Sequence, residues 1–118
     1  MLFFNENIVE LARLNTFFRK VIATTERTQI VLMNIEINSE IGEERHEADQ
    51  IVFFVSGEGK AIINGEESPV FPGHCVIVPA GSLHNFKNTG KEDLKLYTLY
   101  APPQHPHGEI DKTEESAR

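Results

Sequence analysis

The stretch GHCVIVPAGSLHNFKN, residues 73–88, places two short apolar segments on either side of a turn. The run CVIV is rich in β-branched residues, which is typical of a strand. Pro79 stops that strand because proline has no amide hydrogen for a sheet ladder. Gly81 suits a turn, and LHNFKN then resumes an extended pattern that carries His84. The stretch therefore predicts a strand, a reversal and a second strand that begins near a histidine.

The same alternation of strands and turns runs through most of the chain. TQIVLMNIEIN alternates Met33, Ile35 and Ile37 with polar residues, the period of two expected when one face of a strand is buried. Asn64-Gly65, between KAII and EESPV, is a strong signal for a two-residue hairpin. Several short strands follow one another at intervals of about ten residues without intervening helices. This pattern predicts an all-β antiparallel sandwich or barrel rather than a βαβ fold.

The two ends of the chain differ from this middle part. Residues 5–14 have apolar side chains at helical spacing, which predicts either a short N-terminal helix capped by Asn5 or Asn7 or an irregular arm. After Ala101 the sequence PPQHPHGEIDKTEESAR has three prolines and little apolar content. A chain of 118 residues fits one domain, residues 1–118. We expect a barrel core at about residues 19–101 and a tail, residues 102–118, lying over the surface and ordered as far as Ile110.

Composition limits the partners. The net charge is −7, and eleven basic residues are scattered among eighteen acidic ones, which argues against nucleic acid. The apolar runs are far shorter than the roughly 20 residues that cross a bilayer, and Glu6 and Glu10 interrupt the start, so we expect no membrane partner and a cytoplasmic protein. The single cysteine, Cys75, fits a reducing compartment, and its apolar neighbours predict a buried, inert thiol.

The segment EERHEADQ, residues 43–50, carries the residues best suited to chemistry. Glu44 and His46 project from the same face of a strand because they are two residues apart. Gln50 would lie about 13 Å away on an extended chain. Joint metal ligation therefore requires a turn at residues 47–49. The alternatives are a solvated acidic edge, histidines at strand ends and a buried glutamine bonded to backbone groups.

These two stretches resemble the paired motifs of the cupin superfamily. The second motif, glycine, five residues, P-x-G, two residues, histidine, three residues and asparagine, is intact at residues 73–88. The first motif, glycine, five residues, His-x-His, three or four residues, glutamate, six residues and glycine, is present with substitutions and ends at Gly57. Glu44 stands at the first histidine, His46 at the second and Gln50 at the glutamate, and Gly42 is nearer to Glu44 than usual. The sequence segments EERHEADQ and LKLYTLYAPPQHPHG are similar to segments of small single-domain cupins labelled mannose-6-phosphate isomerase-like.

The resemblance implies a double-stranded β-helix, or jelly-roll barrel, that holds a divalent metal ion in its mouth and forms a homodimer. Carried over by position, the metal ligands are Glu44, His46, Gln50 and His84. Family members typically offer three histidines and one glutamate. The set in this sequence has its carboxylate at a different position, but it keeps the same single negative charge. Two imidazoles and a carboxylate are associated with non-haem Fe(II), with Gln50 as a weak ligand or a donor behind the ligands. Iron, manganese, nickel and zinc all remain candidates.

Two functions fit these residues. The first is a metal-dependent enzyme acting on a small molecule, either an isomerase of a hydroxy-carbonyl compound or a dioxygenase. The second is a non-catalytic module that binds a small ligand or senses a metal. No residue is identified as catalytic, and glutamine at position 50 cannot act as a carboxylate base. The motif strands offer few cations for a phosphosugar: Arg45, Lys60 and Lys87.

The pair His105-x-His107 has the spacing of a second metal chelate on a strand. Pro106 between the two histidines makes a regular strand unfavourable. No carboxylate or third histidine lies at a useful interval. We therefore do not predict a second metal site there.

Overall fold

The computed structural model describes residues 3–115, and in that part of the chain it contains one helix and nine strands. The elements are α1 (Ile8–Leu14), β1 (Arg19–Thr24), β2 (Gln29–Ile35), β3 (Asp49–Ser56), β4 (Gly59–Ile63), β5 (Glu66–Val70), β6 (Cys75–Val78), β7 (His84–Asn88), β8 (Leu94–Ala101) and β9 (Ile110–Asp111). The all-β prediction is confirmed.

The strands form two antiparallel sheets. The larger has the order β6-β3-β8-β2-β1-β9, and the smaller has the order β5-β4-β7. Their apolar faces share one core, in which the rings of Phe54 on β3 and Phe86 on β7 lie 5.8 Å apart. Strand β8 shows how the sequence specifies this packing, because its buried residues alternate with half-buried ones. The two sheets therefore enclose the core between them.

The N-terminal segment forms the predicted helix rather than an arm. Asn7 caps α1 by accepting a hydrogen bond from the Glu10 amide at 3.1 Å. The helix contacts β2, β3 and β8. Within residues 3–115, no helix has the length and apolar character that crossing a membrane requires.

The predicted hairpin and the last glycine of the first motif are both explained by backbone geometry. Asn64 and Gly65 have φ angles of 49° and 83°, the two positive values that this two-residue turn requires. Gly57 has a φ of 87°, and a Cβ built there would lie 2.4 Å from the Asp93 carbonyl oxygen. Larger residues at position 57 would thus be strained and would clash with the chain after Asp93.

Some details of the sequence predictions are wrong. The second strand ends at Ile35, so Ile37 lies outside it and is exposed. Cys75 is exposed, not buried, because β6 is the edge strand of the larger sheet. The tail does more than lie on the surface, since Ile110 and Asp111 pair with Lys20 and Arg19 of β1.

Candidate metal centre

Backbone hydrogen bonds bring the two motifs together. The Glu44 amide donates to the His84 carbonyl and the His84 amide donates to the Glu44 carbonyl, both at 2.9 Å. The Gly81 amide donates to the His46 carbonyl at 2.7 Å. A bend at Glu47 and Ala48 precedes β3, as the sequence predicts. Residues about 40 positions apart along the chain therefore become neighbours through their main chains.

The side chains of Glu44, His46 and His84 converge. Their ligand atoms all lie within 4.8 Å of one another. His46 Nε2 is 3.1 Å and His84 Nε2 is 3.9 Å from Glu44 Oε1. Metal bonds of about 2.0 to 2.2 Å let two ligands of one ion lie up to about 4.4 Å apart. Both distances are short enough for a shared ion.

The unpaired atoms at this site support ligand binding. Among the described residues, His46 Nε2, His84 Nε2 and Gln50 Oε1 are buried atoms without a hydrogen-bond partner. Buried polar atoms are normally hydrogen-bonded, so each of these needs an explanation. His46 Nε2 lies near Glu44 Oε1 but outside hydrogen-bond geometry. The atoms present are lone-pair donors of the types that divalent metals take, and the residues therefore fit a metal ion.

The charge states also suit a cation. Burial acts to raise the pKa of Glu44, but the neighbouring His46, His84 and Arg19 side chains together outweigh it and hold the pKa below its usual range. Glu44 is therefore ionised at neutral pH.

His84 is held in the form that binds a metal. Burial lowers its pKa, which favours the neutral imidazole. Its Nδ1 lies 2.9 Å from the Ser82 carbonyl oxygen, a group that only accepts, so the ring proton is on Nδ1. The Nε2 lone pair is consequently free and faces the site.

Gln50 is connected to the site by a hydrogen bond to Tyr100. Its Nε2 donates to the Tyr100 hydroxyl at 3.1 Å, which leaves Oε1 available as a ligand. The Tyr100 ring packs edge-on against His46 at 5.7 Å. Burial raises the pKa of Tyr100, so the phenol keeps its proton. The structure thus links Gln50 to His46 through Tyr100, and direct ligation by Gln50 stays a prediction.

His105, which the sequence discounts as a metal ligand, lies beside the site. Its ring packs edge-on against Tyr100 at 5.3 Å and His46 at 6.4 Å. Burial lowers the pKa of His105 to about 4. His107 is exposed, so the two histidines do not act as a pair. No local sequence pattern predicts that His105 lies beside the site, because residues distant in the sequence determine its position.

Comparison with known proteins identifies the fold family. The sequence profile described as Cupin domain matches residues 31–100. The chain belongs to the cupin family. This cupin is 36% identical to a Bacillus halodurans protein of known crystal structure, with a TM-score of 0.95 over 97% of this chain and 92% of that one. The predicted double-stranded β-helix is therefore confirmed.

Relatives known from sequence are similar over smaller shares of their length. The cupin is 36% identical to Bacillus subtilis YrkC over 94% of its own chain and spans 63% of YrkC. It is 31% identical to a Thermotoga maritima protein named oxalate-binding protein, over 57% of this chain and 56% of that protein.

Proposed function

We propose that this cupin binds one divalent metal ion through Glu44, His46 and His84, with Gln50 Oε1 as a fourth ligand. The observation that carries the proposal is the convergence of two buried, unpaired imidazole nitrogens on one ionised carboxylate. Two imidazoles and a carboxylate accept iron, manganese, nickel or zinc, and the absence of a thiolate from the set argues against a closed structural zinc site.

We further propose that the ion holds a small chelating molecule in the mouth of the barrel. A divalent ion and the Glu44 carboxylate together leave one positive charge, which favours an anionic oxygen ligand. The name of the Thermotoga maritima relative supports a small oxygen-rich acid. A bound ion would polarise a carbonyl or enediolate oxygen, or hold O2 beside a chelating substrate. The reaction is then an isomerisation of a hydroxy-carbonyl compound or a dioxygenation.

A phosphosugar of the kind that mannose-6-phosphate isomerase uses has less support. Two of the three cations on the motif strands are in ion pairs: Lys60 with Glu67 at 2.9 Å and Lys87 with Glu40 at 3.4 Å. A phosphate would have to displace these two carboxylates. The third cation, Arg45, is exposed.

The second candidate is a non-catalytic binding module. It is favoured by the relative whose name describes binding and not a reaction. The two candidates differ in turnover but share the metal site. In both candidates the protonation states at the site are the same: Glu44 is charged, His84 is neutral and Tyr100 keeps its phenolic proton.

The first test is metal content. The protein is purified without a tag or chelator, alongside Glu44→Ala and His84→Ala, with Glu43→Ala and His107→Ala as matched exposed controls. We expect about one metal ion per chain in the wild type and controls and a loss in both site variants. A wild type that takes up none of iron, manganese, nickel or zinc would contradict the proposal.

The second test separates binding from catalysis. The metal-loaded protein is titrated with oxalate and glycolate, which chelate, and with acetate as a weakly chelating control. We expect thermal stabilisation by a chelating acid and less by acetate. Oxygen consumption or product formation across a panel of diols, diketones and hydroxy-carbonyl compounds would establish an enzyme, and stabilisation without turnover would establish the binding module.

A further inference from the structure

We infer that the C-terminal segment, residues 102–111, is part of the ligand-binding site, and that His105 Nε2 accepts a hydrogen bond from the water or ligand hydroxyl on the metal ion. This inference rests on the proposed metal site. It adds a residue from outside both motifs and a preference for hydroxy acids.

A buried glutamine fixes the backbone at His105. Gln29, on β2, is 1% exposed. Its Oε1 accepts hydrogen bonds from the Gln104 amide at 3.1 Å and the His105 amide at 2.9 Å. Its Nε2 donates to the His105 carbonyl at 2.7 Å and to Thr24 Oγ1 at 3.0 Å. Both ends of one amide therefore hold the backbone on both sides of the His105 side chain.

The far end of the segment is tied down separately. Strand β9 pairs with β1, and the Val21 amide donates to the Glu109 carbonyl at 2.9 Å. The buried Arg19 side chain lies 3.3 Å from the Asp111 carboxylate and 3.6 Å from the Glu109 carboxylate. His105 is thus anchored on both sides along the chain and is not part of a loose tail.

The side chain of His105 has an unused atom near the metal site. Within residues 3–115, Nε2 is one of the buried side-chain atoms that have no hydrogen-bond partner. His105 lies outside the group of ligand atoms that are all within 4.8 Å of one another, although its ring contacts His46 and Tyr100. This placement beside the ligand group but outside it favours contact with a small molecule on the ion over direct ligation.

The other ring nitrogen determines what Nε2 can do. Nδ1 lies 3.5 Å from the Glu109 carboxylate, which favours the ring proton on Nδ1. Nε2 then carries a lone pair and accepts. A metal-bound water or the hydroxyl of a 2-hydroxy acid can donate to it, whereas the dianion of oxalate has no proton to give. The geometry therefore favours glycolate-like ligands over oxalate at this position.

The wild-type protein tests the contact without any substitution. Side-chain ¹⁵N resonances of His46, His84, His105 and His107 are followed as Zn²⁺ alone is added. We expect large shifts at Nε2 of His46 and His84, a smaller hydrogen-bond shift at His105 Nε2 and none at His107. No change at His105, or a change as large as that at His46, would overturn the inference. Unchanged His46 and His84 would instead show that the proposed metal site fails.

Variants then test the ligand preference. His105→Gln is compared with His107→Gln as the exposed control, after thermal unfolding confirms that both are folded. For the zinc-loaded proteins, we expect Zn²⁺ affinity within about threefold of the wild type and glycolate affinity about threefold to tenfold lower in His105→Gln, as for one lost hydrogen bond. Oxalate affinity should change less. Glycolate binding that is absent from the wild type or unchanged in the variant would overturn the inference, and so would loss of zinc from His105→Gln.

Discussion

The two sides of the candidate site are built in different ways. The barrel rim, defined as Glu44, His46, Gln50 and His84, is positioned by the main chain: hydrogen bonds between the two motifs hold the first, second and fourth residues, and the pairing of β3 with β6 holds Gln50. The C-terminal segment is positioned near His105 by the side chain of Gln29, which lies 76 residues from His105 along the chain. The rim therefore depends on strand pairing, which many sequences satisfy. The part of the segment around His105 depends on one buried amide, and its attachment can be changed without altering the rim.

The largest expected effect comes from the rim itself. We expect His84→Ala and Glu44→Ala to weaken metal binding more than about 100-fold, since loss of a partner behind the ligands alone commonly costs 10- to 100-fold. Calorimetric titration with Zn²⁺ measures this. Glu43→Ala, beside Glu44 and exposed, should bind like the wild type. A His84→Ala variant that binds Zn²⁺ as tightly as the wild type would contradict the assignment of the barrel rim as the metal site.

The next effect separates the segment from the rim. Gln29→Leu keeps much of the side-chain volume but removes the hydrogen bonds to Thr24, Gln104 and His105. We expect it to lower the free energy of unfolding by about 2 to 4 kcal/mol and to speed proteolysis within residues 102–111.

The matched control for that change is Gln104→Ala, whose side chain is exposed. Gln29→Leu should keep zinc affinity within about threefold, because the rim residues are held by other bonds. A loss of zinc as large as that in His84→Ala would mean that the two sides are not separable. Unchanged proteolysis would mean that Gln29 does not hold the segment.

A smaller effect is expected from pH on the metal-free protein. The folded pKa of His105 is about 4 because of burial, against about 6.5 when unfolded. Between these values the unfolded chain binds more protons, so stability is highest above pH 6.5 and falls as the pH drops towards 4. After a discount for solvent screening we expect about 1 kcal/mol at pH 5, or about 4 °C in Tm.

The lowered pKa of His84 acts in the same direction over this range, whereas the lowered pKa of Glu44 reduces stability mainly below about pH 4.5. Thermal unfolding in the presence of chelator at pH 7 and pH 5 measures the combined change. His105→Gln should show a smaller drop in Tm than His107→Gln. Equal drops in the two variants would show that His105 does not titrate with folding.

The smallest effect is expected at Tyr100, which contacts both sides. Tyr100→Phe keeps the ring against His46 and His105 but removes the hydroxyl that accepts from Gln50 Nε2. We expect a stability loss of about 1 kcal/mol and less than a tenfold loss of zinc affinity. Chemical denaturation and calorimetry check these values. A larger loss of zinc affinity than in Glu44→Ala would place Tyr100 itself among the ligands.

The sequence predicts the rim better than the segment for physical reasons. Spacing within residues 43–50 and 73–88 reports which side chains share a face, and a bend at residues 47–48 brings Gln50 back. The prediction of a buried Cys75 is wrong because an apolar run does not reveal that its strand lies at a sheet edge. The sequence does not predict His105 as a site residue because Pro106 argues against a strand there. Its position instead comes from Gln29, which looks like an ordinary polar residue in sequence.

The most direct test of the central claim is anomalous diffraction from crystals of the zinc-loaded protein. The account predicts one strong peak about 2.0 to 2.2 Å from His46 Nε2, His84 Nε2 and a Glu44 carboxylate oxygen. A peak elsewhere, or none among these three residues at full zinc occupancy in solution, would contradict it.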